Sequence, residues 1–144
     1  MMRLALILAL LTSPVLAAFP DEAETVELAQ IKTLIEDGEP RRALAALQPL
    51  TKDPTITADV QNLIGYAHRK LGEYDKARRH YLRALAADSL HKGALEYMGE
   101  LELEIGDTAA ARALLNRLKK VCPTGCLELD DLIEAFARRG LSTD

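Results

Sequence analysis

Two cysteines, three histidines and a scatter of acidic side chains are the groups in this 144-residue chain that could do chemistry. The cysteines sit in the stretch VCPTGC, Val121 to Cys126, four residues apart. Such a pair could be a structural disulfide, a redox couple, part of a metal site, or two unrelated thiols. Residues four apart in an unbroken helix sit awkwardly for a disulfide. Pro123 and Gly125 break the helix and let the chain fold back to the Cα separation of about 4.4–6.8 Å that the bond needs. Redox exchange would draw on Cys126 at a helix N-terminus, where the dipole lowers a thiol's pKa. The spacing is C-x-x-x-C rather than C-x-x-C, however, and no βαβ pattern surrounds it. Two thiolates suit Cu(I), but no third ligand is evident, and zinc would need two more. Cys122 and Cys126 are therefore expected to form a disulfide, with thiol redox or Cu(I) handling as the alternative.

The remaining groups suggest no active site. His68, His80 and His91 do not pair at i, i+4 spacing. His68 falls on an inward helical row, and His80 and His91 read as surface or helix-end residues. No Ser/His/Asp set stands out, and no glycine-rich loop follows a strand. The expectation is a non-enzyme with no cofactor and no metal. The formal net charge is −4 and no basic stripe is present, which argues against nucleic acid as the partner.

The first residues read as an export signal. Arg3 supplies a positive start, and Leu4 to Leu11 is an apolar run too short to span a bilayer. Val15-Leu16-Ala17 then offers small residues for cleavage. Residues 1–17 are expected to be a signal peptide and 18–23 a short lead. The mature chain would be exported, periplasmic, and free of a membrane span. Export to an oxidising compartment favours the disulfide.

A repeat organises the rest. Gly38, Gly72, Gly106 and Gly140 are spaced 34 residues apart. Ala43, Ala77 and Ala111 keep the same period, as do Leu47, Tyr81 and Leu115. Each unit reads as two amphipathic helices separated by a glycine that caps the first. The helices are expected at Glu24 to Asp37, Arg41 to Lys52, two within Thr57 to Ala87 with Gly72 ending the first and Ala77, Tyr81, Ala84 and Leu85 on one face of the second, Leu95 to Ile105 and Ala109 to Val121. A last helix over Gly125 to Arg139 would close the stack with a polar outer face. The chain would hold seven helices and no sheet, with 141–144 as a tail.

The 34-residue period, the helix–turn–helix unit, and the residues Ile64-Gly65, Ala77, Tyr81 and Met98-Gly99, Ala111, Leu115, Pro123 resemble the tetratricopeptide repeat. Gln61 stands where that pattern has an aromatic, and His68 and Glu102 where it has tyrosine. The resemblance implies an all-α, right-handed solenoid over 24–140: about three helix pairs plus a capping helix. It further implies a protein-interaction scaffold or adaptor whose concave groove, lined by the first helix of each pair, takes a protein or peptide segment. Groove positions would be Asn62, Tyr66, Arg69, Glu96, Glu100, Asp130 and Glu134. The four acidic ones would form a wall suited to a partner with basic residues. Some family members clamp a C-terminal carboxylate with Lys, Arg and Asn. Only Asn62, Lys32 and Arg69 could serve here, so that clamp is not expected.

Overall fold

The computed structural model describes residues 22–52 and 57–143; the expected signal peptide lies outside them. Seven α-helices and no strand occur among the described residues. They are α1 (Glu22–Glu36), α2 (Pro40–Leu47), α3 (Ala58–Lys70), α4 (Tyr74–Ala87), α5 (Lys92–Ile105), α6 (Thr108–Val121) and α7 (Leu127–Arg138).

The glycine ruler has one local cause. Gly38, Gly72, Gly106 and Gly140 all take positive φ, between 66° and 89°. The residue after each donates its N–H to the carbonyl five back: Glu39 to Leu34, Glu73 to His68, Asp107 to Glu102 and Leu141 to Phe136, at 2.8–3.1 Å. This closes the helix end and reverses the chain, and it needs the left-handed backbone that a side chain opposes. At the other ends, Thr57 Oγ1 accepts from the Val60 N–H, His91 Nδ1 from that of Ala94 and Asp107 Oδ1 from that of Ala110. These caps satisfy N–H groups that have no partner in the first turn.

One expected helix is cut short. The segment expected as Arg41 to Lys52 is α-helical only to Leu47, then a 3₁₀ turn over Pro49–Lys52. Pro49 has no N–H to give and its ring opposes the carbonyl four residues earlier, so the α-helix stops there.

Helices α1, α3, α5 and α7 lie side by side, each touching the next. Helices α2, α4 and α6 form an outer layer and dock on the first helix of the following unit rather than on one another. A stack whose inner helices pack more closely than its outer ones curves toward the inner layer, so the α1/α3/α5/α7 face is concave. The core divides into two clusters that meet at Met98. Gly65 permits one close crossing: a Cβ there would stand 2.7 Å from the Tyr81 ring and 3.2 Å from the Ala77 carbonyl. Gly99 permits another, against Leu132 of α7. The tail folds back as well. Leu141 packs on the core, and Lys119 Nζ donates to the Thr143 carbonyl at 2.8 Å.

Candidate functional site

The concave face brings together most of the residues expected there, in two different states. In the middle, Arg69 is buried, with its guanidinium 2.6 Å from Glu100 and 2.8 Å from Glu104. It also lies over the rings of Tyr66 and Tyr97, at 5.4 and 5.7 Å from their centroids. Those two rings stack at 4.5 Å. Two carboxylates and two aromatic faces hold one guanidinium, which stitches α3 to α5. The acidic wall is correspondingly discharged. Glu100 also approaches Arg138 at 3.7 Å, and Glu134 pairs with Arg138 at 2.8 Å.

The second state is an open cavity of about 330 Å³ toward α1. Leu28, Lys32, Asn62, Leu63, Glu96, Tyr97 and Glu128 are among the residues that line it. Asn62 and Glu96 are each only 6% exposed. Asn62 Oδ1 has no hydrogen-bond partner. Glu96 forms no ion pair among the described residues. Burial, reinforced by Glu100, Asp131 and Glu128, pushes the Glu96 carboxyl up to about 8. Asp130, expected beside Glu96, is exposed, and the α7 carboxylates acting on Glu96 are instead Asp131 and Glu128.

Cys122 and Cys126 lie at disulfide distance, with Cα atoms 5.8 Å apart. Cys122 caps the end of α6 and Cys126 the start of α7, with Gly125 between them at φ +93°. The bridge closes the turn that leads into the helix bearing Glu128.

A family model described as tetratricopeptide repeat matches residues 28–77 and 62–125. The chain belongs to the tetratricopeptide repeat family. A crystal structure of MamA has the same fold, with a TM-score of 0.64 and 22% identity over 85% of this chain and 71% of that one. No curated protein matches the chain.

Against the tetratricopeptide pattern, the two departures from tyrosine each have a partner that spacing did not reveal. Glu102 is 2% exposed and takes both carboxylate oxygens to Arg78 of α4, at 2.8 Å from Nε and 2.5 Å from Nη2. His68 makes a 2.5 Å contact with Glu73 and stacks on His80 at 5.5 Å between ring centroids. The second imidazole of that stack, His80, is half-buried rather than at the surface, and its Nδ1 lies 2.8 Å from Gln61 Oε1. His91 is at a helix end as expected, capping α5 with Nδ1 while Nε2 meets Asp59 at 2.9 Å. A departure from the repeat consensus was the available signal at Gln61, His68 and Glu102; His80 and His91 carried none. The partners lie 5 to 32 residues away and need the fold to be seen. Tetratricopeptide domains are, as a family, generally interaction scaffolds rather than enzymes, and Arg69 is already held by Glu100 and Glu104.

Proposed function

We propose that this protein is an exported scaffold that docks a segment of a partner protein on the α1/α3/α5/α7 face and grips a basic residue of that segment. One observation carries the reading. The cavity on that face is lined by Asn62, whose buried Oδ1 has no hydrogen-bond partner among the described residues, and by Glu96, which is buried and forms no ion pair among them. Buried polar groups are nearly always paired, so an unpaired couple facing a cavity is a vacancy for a ligand group. The ligand must donate hydrogen bonds and suit negative charge. The expectation of export rests on the N-terminal leader sequence, Arg3 followed by Leu4 to Leu11.

The test places a photo-cross-linking residue at Lys32 or Glu134 on this face, or at Lys76 or Arg83 on the outer layer, in the exporting cell. A discrete adduct is expected from the first pair only, and Glu128→Lys should reduce it. Adducts from the outer layer alone would defeat the reading. The same preparation, alkylated before and after reduction and weighed intact, reports the mature N-terminus and the state of Cys122 and Cys126.

A further inference from the structure

We propose that the cavity bounded by α1, α3 and α5 is a receptor for a lysine side chain. It takes the primary ammonium onto Glu96 and Asn62 and the methylene stem against Leu28, Leu63 and Tyr97. This rests on the reading that the partner docks on the concave face, and adds which basic residue it presents.

The chemistry of the cavity selects the ligand. Its lining includes an amide, Asn62, whose oxygen has no donor among the described residues, and a buried carboxylate, Glu96, that forms no ion pair among them. An ammonium has three donors, no acceptor and a compact charge, and so can serve both at once. Its walls are aliphatic and aromatic, which suits a stem of four methylenes that is buried while the head group is satisfied. Glu128 at the rim adds negative potential. Lys32 also stands at the rim but does not fill the site: its Nζ is 3.6 Å from Glu36, and its side chain is about half exposed. Gly93 keeps the floor clear, because a Cβ there would stand 3.0 Å from Asn62 Nδ2.

The same face shows what a guanidinium requires. Arg69 occupies two carboxylates and two tyrosine rings. Even so held, Arg69 leaves its Nε buried without a partner; the cavity offers one buried carboxylate and one amide, so a planar five-donor fork would leave more donors unpaired there than a compact ammonium. The discrimination therefore favours lysine over arginine.

Binding is also linked to protons. Glu96 takes up a proton near neutral pH because it is buried and faces Glu100, Asp131 and Glu128, which outweigh Lys32; Asp59 and His91 line the same cavity. An ammonium displaces that proton, so its affinity rises from pH 6 to pH 8, a range in which a lysine amine stays charged.

The experiment titrates the full mature chain with n-butylammonium or n-butylguanidinium chloride and follows the Asn62 side-chain amide and the Gly93 backbone amide by NMR. Saturable shifts are expected with butylammonium, about tenfold tighter than with butylguanidinium, equivalent to about 1.4 kcal/mol. They should tighten from pH 6 to pH 8 and vanish in Glu96→Gln while the rest of the spectrum is retained. Absence of saturation, equal binding by Glu96→Gln, or preference for the guanidinium overturns the proposal. The two readings fail separately. If cross-linking from Lys32 persists unchanged in Glu96→Gln, the docking face stands and the lysine receptor falls. If butylammonium binds but no adduct forms on the face, the receptor stands and the scaffold reading falls.

Discussion

Helix α5 buries two glutamates six residues apart, and they live in opposite circumstances. Glu102 points to the outer layer and is locked in a two-pronged pair with Arg78. Glu96 points to the concave face, also withdrawn from water, and forms no ion pair among the described residues. At 100° per residue, six positions rotate a side chain by about 240°, enough to pass from one face to the other. A buried charge with a partner is a joint between helices. A buried carboxyl without one holds its proton up to about pH 8, and ionising it is a cost to the fold. The repeat period puts both on the same helix, and only the neighbours decide which is which.

Breaking the joint should give the largest effect. Arg78→Met leaves Glu102 buried and unpaired, and about 3 kcal/mol of stability should be lost. Adding Glu102→Leu removes the orphaned charge and should recover most of the loss. Urea unfolding of the single and double variants measures both. A single variant within about 0.5 kcal/mol of the parent would mean that Glu102 finds water or another donor, and the contrast with Glu96 would dissolve.

Relieving the vacancy should have the opposite sign. The folded-state pKa of Glu96 stands at about 8, above its unfolded value. Its protonated form therefore favours folding below the unfolded pKa, and that advantage is lost as pH rises through 8. Glu96→Gln mimics the protonated form. It should be more stable than the parent at pH 8 by about 4 kcal/mol, with the gap closing toward pH 4. Thermal unfolding at the two pH values reads this directly. A gap that does not change with pH would show that Glu96 is already compensated in solution.

Much of this arrangement was legible in the sequence. The 34-residue spacing of Gly38, Gly72, Gly106 and Gly140 located the C-terminal ends of α1, α3, α5 and α7, because a left-handed cap is a local requirement visible in one residue. The Cys122–Cys126 bridge followed from Pro123 and Gly125 in the turn between them. Asn62, Tyr66, Arg69, Glu96 and Glu100 were placed on the concave face by the repeat register, but their states were not. Whether Arg69 is free to bind depends on Glu100 and Glu104, in the next unit and 31 and 35 residues on. Periodicity assigns a side chain to a face; pairing across helices is a tertiary fact.

The disulfide sharpens the comparison from the side of the cavity, since it fixes the start of the helix that carries Glu128. Cys122→Ser with Cys126→Ser should cost about 2 kcal/mol, the amount expected for closing a loop this short. The loss should be local, with faster amide exchange over Leu127 to Leu132 and little change in α3. Unchanged melting together with the loss of a redox or Cu(I) phenotype would move the function from the groove to the thiols.

The smallest effect repeats the contrast between paired and unpaired groups in the histidines. His68 faces the carboxylate of Glu73, whereas His80, stacked on it, faces only the neutral amide of Gln61. Burial, with Arg83, His68 and Arg79 adding to it, lowers His80 to about 4. The unfolded chain therefore binds a proton that the folded chain refuses between about pH 6.5 and 4. Stability is full above that window and falls through it as the pH drops. His80 is partly exposed, so solvent screening reduces the loss to about 1 kcal/mol. His80→Gln should abolish this component, so the difference in stability between parent and variant should shift by that amount from pH 7 to pH 4. No shift would mean that the imidazole stack opens to water when protonated, and that His80, unlike Glu96, is not held against its charge.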